Sequence, residues 1–419
     1  MFALYEVLLY LVFLITLPFF LFTGFLRGKY LANFPARMGL YRTRQREHDL
    51  WIHAVSVGET LAARSVIAEI HRLRPGTSIV MTTTTITGQA QARRLYPDAT
   101  VTYFPFDFSF AVRRFLAHHK PRVFATMETE IWPNVTRLAR ARGMKLILAN
   151  GRISDRSFPR YRAFRRIVGR ILRNYDSILV REQTDRERFI AIGAPAGLVE
   201  VTGNVKFDYE PDGTPLESAP ELESLIANRK VLILGSTMEG EDEALLPELE
   251  RFIRERDAFV VIAPRKPERF EQVAGLLDTT SLRYVRRSAM GSRPKPALHD
   301  ILLVDTFGEL ARMYRYATLA FVGGSIAPTG GHNPIEPAAA GVPVCFGPHM
   351  TNFREIATSF LEAGAAKETG SAAEVIAFAE RMFDREEEQR AWGERAKAVV
   401  QRNRGASERT ARRIVEMLG

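Results

Sequence analysis

The chain is poor in cysteine: one in 419 residues, Cys345, set in an apolar run. A disulfide framework is therefore excluded, a reducing compartment is expected, and Cys345 reads as a small core residue. Metal ligation has little to work with. The eight histidines pair with no cysteine or glutamate at ligand spacing, and no D-x-D occurs anywhere. Neither a Walker A sequence nor a G-x-S-x-G elbow is present, which removes P-loop nucleotide hydrolysis and that class of serine hydrolase. No internal repeat marks a solenoid or propeller. Acids are scarce in one stretch: between residues 137 and 173 stand twelve Lys or Arg and one acid, Asp155. With a net charge of +10, so uneven an excess points to nucleic acid, an anionic membrane surface or a phosphorylated substrate. No nucleic-acid module accompanies it, so no nucleic-acid partner is expected. The N-terminus favours the membrane.

Residues 2–26 hold a single charge, Glu6, around VLLYLVFLITLPFFLF. About 20 apolar residues span a bilayer, so one helix suffices, with Pro18 a possible kink. No basic residue precedes the apolar core and no A-x-A site follows it, unlike a cleaved signal peptide. Arg27, Lys29, Arg37, Arg42, Arg44 and Arg46 come after it. By the positive-inside rule they place the remainder in the cytoplasm. The expectation is a single-pass anchor over residues 1–26. The α/β pattern begins only after residue 48, so that anchor should be dispensable for folding.

At this length two domains are the default, and 46% hydrophobic with 25% charged residues is a globular composition. From residue 50, short β-rich runs alternate with helical patterns: 50–55, 78–83, 100–104, 122–127, 145–149 and 177–180. A second series follows at 231–234, 259–263, 301–304, 319–322 and 342–346. Such alternation predicts parallel sheets with helices on both faces. The Pro- and acid-rich residues 206–228 read as the connection, and 286–296 as a surface loop. The final helical stretch, 386–418, is interrupted near 403–405. Two such domains leave a cleft at the carboxyl ends of their strands, where ligands bind.

The most distinctive stretch is FVGGSIAPTGGHNPIEPAAAGVPVCFG, residues 321–347. A strand, a glycine loop, a short helix and a second strand in this order would present free N–H groups to a phosphate. Glu336 could accept from ribose hydroxyls. In HAVSVGET, Gly58 is expected to make the turn and Glu59 to open a helix as a carboxylate able to take a proton. Glu is also a favoured first-turn residue, so position alone does not decide its role. METEIWPN brings Glu128 and Glu130 to another strand end. In IAPRKPERF, Arg265 and Lys266 follow a strand directly, where a guanidinium could hold a phosphate.

In this order SVGET, METEIWPN, GNVKFD, GSTMEGEDE, APRKPERF, VDTFGEL and GGHNPIEPAAAGVPVCFGPHMTNF resemble the 3-deoxy-D-manno-octulosonic acid (Kdo) transferase family. That family adds Kdo to lipid A precursor in lipopolysaccharide assembly. The resemblance covers nearly the whole chain. It implies a GT-B glycosyltransferase fold of α/β class, with two Rossmann-like domains. The acceptor-binding domain would occupy 27–205, a linker 206–228, the CMP-Kdo-binding domain 229–395, and a helix crossing back 396–419. It further implies CMP-Kdo as donor, the lipid A precursor (lipid IVA) as acceptor, inversion without metal or cofactor, and work at the cytoplasmic side of the inner membrane. By the resemblance Glu59 is the base. Donor contacts fall on Pro264, Arg265, Phe307, Gly308, Glu309, Asn333, Pro334, Ile335 and Glu336. Relatives often carry Met where Phe307 stands; a backbone contact survives that change. Gly58, Glu128, Glu130, Lys206 and Ser236 fall on the acceptor side or support it, with Glu128 and Glu130 both open as the further acid. A UDP-sugar transferase of the same fold and a non-catalytic lipid-binding scaffold are the rival readings.

Overall fold

The computed structural model describes residues 2–27, 33–41, 45–209, 219–226, 229–290, 299–306 and 308–419, with the backbone alone for 19–27. The chain divides into two compact units, Met1–Asp208 with Arg404–Gly419, and Tyr209–Asn403.

The first unit is built on β1 (His48–His53), β2 (Ile79–Thr83), β3 (Thr100–Tyr103), β4 (Pro121–Met127), β5 (Lys145–Gly151), β6 (Ser177–Val180) and β7 (Val199–Val201). All pair in parallel, in the order β3-β2-β1-β4-β5-β6-β7. Both faces are covered, so these strands read as continuous apolar runs rather than as an alternation. In β1, Leu50 and Ile52 pack with Val66, Ile67 and Ile70 of the helix Val57–Leu73. Trp51 points the other way, its ring 4.3 Å from Phe115 and 4.2 Å from Phe124. Each such side chain contributes about 1.5–3 kcal/mol on burial. The chain runs outward from β1 to β3 and then returns to β4 on the other side. The carboxyl ends of β1 and β4 therefore flank a topological switch point, where open α/β sheets leave a crevice.

The second unit repeats the plan. Its strands are β8 (Val231–Thr237), β9 (Phe259–Pro264), β10 (Tyr284–Arg286), β11 (Ile301–Leu303), β12 (Leu319–Val322), β13 (Val344–Phe346) and β14 (Ala366–Glu368), ordered β10-β11-β9-β8-β12-β13-β14 and all parallel. Its switch point lies between β8 and β12. Cys345 is fully buried in this core, and burial pushes its thiol well up, as befits a packing residue.

Several sequence expectations change. The C-terminal stretch changes unit at Asn403–Arg404, whereas the helix Glu386–Arg402 stays with the second unit. There Gly393 is indispensable to its packing, because a Cβ would stand 2.1 Å from the Gly341 carbonyl oxygen. The helix Ala406–Leu418 joins the first core through Ala411, Ile414 and Leu418, and Asp208 caps it by accepting from the N–H groups of Gly405 and Ser407. Lys206 and Asp208 thus lie in a structured turn, Val205–Asp208, and not in a linker. The helix Ala219–Ile226 sets Leu222 and Leu225 in the second core; 210–218 and 227–228 lie outside the described residues. Of the supposed loop, 286–289 belong to β10 and a 3-10 turn, and 291–298 lie outside the described residues.

The N-terminal helix, Phe2–Arg27, also departs from expectation. Among the described residues no helix is long and apolar enough to cross a membrane, so the single-pass anchor finds no support in the fold. The helix is instead fastened to the first unit. Glu6 accepts from the Ser109 N–H (2.9 Å) and hydroxyl (2.6 Å) and from the Asn134 amide (2.7 Å). Tyr5 donates to Asp107 at 2.9 Å, and the Tyr10 ring stacks on Phe108. Asp107 in turn accepts from the N–H groups of Asn134 and Val135, at the start of the helix Pro133–Ala141. Leu4, Leu8, Leu11 and Ile15, one face at helical spacing, remain exposed.

Candidate active site

After β1 the chain turns through Ser56, whose extended backbone (φ −121°, ψ 173°) is the N-cap of the helix Val57–Leu73. Gly58 therefore lies inside the first helical turn and does not make the turn itself. Glu59 reaches back, its carboxylate accepting from the Val55 N–H at 2.6 Å and the Ser56 hydroxyl at 3.3 Å. Burial, with Glu128 next and Glu130 after it, pushes the Glu59 carboxyl up to about 7 against those two hydrogen bonds. The sequence suggested a plain anion favoured by the helix's first turn. A second carboxylate arriving from β4 and the loss of water outweigh that dipole.

Glu128 follows β4 with φ 57°, a left-handed backbone that costs a non-glycine residue about 1–3 kcal/mol. Its N–H donates to the Ala149 carbonyl at 2.8 Å, which fixes the turn. Lys206 stands 3.3 Å from the Glu128 carboxylate. Glu130 differs: burial holds its carboxyl above the usual range, and its backbone carbonyl accepts from the Tyr175 hydroxyl at 3.3 Å. Of the two acids left open by the sequence, Glu128 acts more strongly on Glu59. Gly58, Glu59, Glu128, Glu130 and Lys206 all sit on the first unit, around the β1/β4 switch point.

In the second unit, Ser236, next to last in β8, has the same left-handed conformation (φ 58°). Gly323, after β12, passes so close that a Cβ would lie 2.6 Å from the Ser236 carbonyl oxygen, which makes the glycine obligatory. Pro264 ends β9, and the Arg265 N–H donates to the Thr237 carbonyl at 3.0 Å. The Arg265 side chain is exposed, and its charge reaches two groups of the GGHNPIE stretch. Burial and Arg265 push His332 down to about 4. Burial raises Glu336, which the Asn333 amide (3.2 Å) and Arg265 partly offset. The Asn333 side-chain oxygen accepts from the Ile335 N–H at 3.1 Å, beside Pro334. Glu309 is taken up by Arg287 at 2.7 Å and by the Thr306 hydroxyl, and Gly308 has φ 81°. Phe307 lies outside the described residues.

Part of the expected phosphate cradle is filled from within. Glu241, 1% exposed, accepts from the N–H groups of Met238, Gly324, Ser325, Ile326 and Ala327 at 2.7–3.2 Å. The four donors from Gly324 to Ala327, in the glycine loop, are thus occupied by an internal carboxylate. The helix Ile335–Ala339 is a five-residue turn whose first N–H is already capped. The exposed Arg265 and Lys266 add positive charge at this end of the sheet. His332 was given no role in the sequence; it is half-buried, its Nε2 has no partner among the described residues, and its place between a double glycine and Asn333 was the available signal.

Two parallel α/β sheets with polar side chains gathered at their switch points resemble the architecture of GT-B glycosyltransferases. The solved UDP-GlcNAc 2-epimerase from Neisseria meningitidis bound to UDP-GlcNAc aligns with TM-score 0.58 at 14% identity, over 89% of this chain and 99% of its own. A glycosyltransferase from Rickettsia africae aligns with TM-score 0.56 at 12% identity, over 90% and 98%. At such identities the likeness is one of fold. Sequence narrows the class. Residues 32–209 match the family model for 3-deoxy-D-manno-octulosonic-acid transferase (kdotransferase). The 3-deoxy-D-manno-octulosonic acid transferase of Bordetella pertussis is 35% identical over 412 residues, covering 94% of this chain and 93% of its own length. That of Haemophilus influenzae is 32% identical over 387 residues, covering 91% and 90%. The chain belongs to the Kdo transferase family and is a glycosyltransferase.

Proposed function

We propose that the chain transfers Kdo from CMP-Kdo to the lipid A precursor lipid IVA, inverting the anomeric carbon, with Glu59 as general base. The observation that carries this reading is the Glu59 carboxyl raised to about 7 by burial and Glu128. A base poised near the working pH combines a populated anion with a strong pull on the proton, worth about 10²–10⁴-fold in rate. The acceptor hydroxyl attacks the anomeric carbon while the bond from that carbon to the CMP phosphate oxygen breaks. CMP keeps the electron pair and Glu59 takes the proton. Glu128, paired with Lys206, keeps Glu59 basic; Glu130 and Gly58 shape the same turn.

On the second unit, Arg265 balances the charge growing on the departing phosphate, the task a divalent metal performs in other transferases. Pro264, Phe307, Gly308, Glu309, Asn333, Pro334, Ile335 and Glu336 hold the nucleotide, and Ser236 supports them. No metal or other cofactor is required in this scheme. The exposed apolar face of the helix Phe2–Arg27 and the basic stretch between residues 137 and 173 attach the enzyme to the anionic cytoplasmic surface of the inner membrane.

The test is turnover of CMP-Kdo with detergent-dispersed lipid IVA in excess chelator. Mass spectrometry of the lipid should show addition of Kdo, and NMR of the product the inverted anomer. Retention of configuration, or activity that vanishes with chelator and returns with Mg²⁺, would overturn the mechanism. Transfer from a UDP-sugar instead would overturn the donor.

A further inference from the structure

Arg37 entered the sequence reading only as one of the cations following the apolar segment. In the structure it ends the short helix Phe34–Arg37 and is half-buried. Its guanidinium stands over the rings of Tyr103 (4.8 Å) and Phe106 (5.6 Å) and donates to the Thr84 carbonyl. Among the described residues no carboxylate faces it, and burial holds it below the usual guanidinium range. Taking a cation from water without an opposite charge costs free energy that neither the rings nor one carbonyl fully returns.

Two neighbouring groups are also left over. The Thr84 hydroxyl is buried without a partner among the described residues. His53 is fully buried, and its Nδ1 lies 3.1 Å from the Thr82 carbonyl, which can only accept, so Nδ1 carries the proton. Its Nε2 has no partner among the described residues, and the ring is close enough to feel the charge of Arg37. The place is tied to the base by short links. The Thr84 N–H donates to the Val55 carbonyl at 3.2 Å, and the Val55 N–H donates to Glu59 at 2.6 Å.

We propose that Arg37 and the Thr84 hydroxyl form an anion subsite on the first unit that holds a phosphate of the acceptor and thereby sets the attacking hydroxyl against Glu59. This rests on the acceptor reading given above. The other anion in the reaction, the carboxylate of the donor sugar, has the same chemistry, and the experiment separates the two. A guanidinium suits a phosphate because its planar fork offers two parallel donors, which an ammonium cannot reproduce.

Binding of detergent-dispersed lipid IVA to the full chain is measured without donor, for the phosphorylated acceptor and for one whose phosphates have been removed. Arg37→Met should weaken binding of the phosphorylated acceptor by about 10-fold or more, the scale of a charge-assisted hydrogen bond lost. Arg37→Lys should recover part of it. Thr84→Val, which removes a hydroxyl that bonds to nothing, should weaken it a few-fold with an unchanged melting profile. The dephosphorylated acceptor should bind wild type and variants alike. Equal weakening toward both acceptors, or unchanged binding by all three variants, overturns the subsite. A raised KM for CMP-Kdo with acceptor binding intact assigns the anion to the donor and overturns it too. Wild type that binds neither acceptor speaks instead against the acceptor reading itself.

Discussion

Replacing Glu59 by Gln should disable the enzyme and at the same time stabilise it, in a way that depends on pH. The carboxyl rises from an ordinary 4.5 to about 7 on folding. In acid, below the unfolded value, both states hold the proton and the substitution changes little. Between the two values the unfolded chain ionises while the folded one keeps its proton, so stability falls as pH rises. Above the folded value the full penalty stands, about 3 kcal/mol at about 1.4 kcal/mol for each pH unit separating the two values. Glutamine removes that penalty, and its amide oxygen still accepts from the Val55 N–H. The variant should therefore exceed wild type by about 1–3 kcal/mol near pH 8, and by under about 1 kcal/mol near pH 5. Urea unfolding of both proteins at the two pH values measures the difference. A Gln variant no more stable than wild type near pH 8 would refute the claim that burial and Glu128 hold Glu59 close to neutrality.

Arg265→Ala should lower kcat by about 10²-fold, the scale of one preorganised donor lost, while acceptor KM stays within a few-fold and chelator changes neither rate. Glu6→Ala takes the acceptor from the Ser109 N–H and hydroxyl and leaves the Asn134 amide only the Asp107 carbonyl, and should cost about 1–3 kcal/mol in a urea melt. Undiminished stability would mean that the N-terminal helix is not fastened as its contacts indicate. Glu241→Ala strands five N–H groups, that of Met238 after β8 and four of the glycine loop, so the donor KM should rise more than kcat falls; a loss confined to kcat would place Glu241 in the chemistry itself.

What could be read in the sequence had local causes. Apolar runs bounded by glycine marked the central strands, because a parallel strand covered on both faces is apolar throughout. All the signature stretches but GNVKFD end such strands, so their chemistry was expected at the carboxyl edges. What escaped was decided at long range or by too few residues. The strands β7, β10 and β14 have three residues each, and two residues of β7 and of β14 face solvent, so no apolar run announced them. Glu6 looked like a lone charge in an apolar segment; its partners, Ser109 and Asn134, lie more than a hundred residues along the chain. Glu241 stands in the first turn of its helix, and four of its partners come from the loop after β12, more than eighty residues along the chain. The protonation of Glu59 depends on its burial and on Glu128, brought beside it by a neighbouring strand. Spacing along the chain contains none of these distances.

The most direct test of the account is the pH dependence of kcat/KM for Kdo transfer, in wild type and in the Glu59→Gln variant. With Glu59 as the base, the wild-type rate should rise about tenfold per pH unit on the acid side and level off near an apparent pKa of about 7. The residual activity of the Gln variant should lack that limb. An acid limb that persists unchanged in the variant would assign the proton transfer to another group and contradict the central claim.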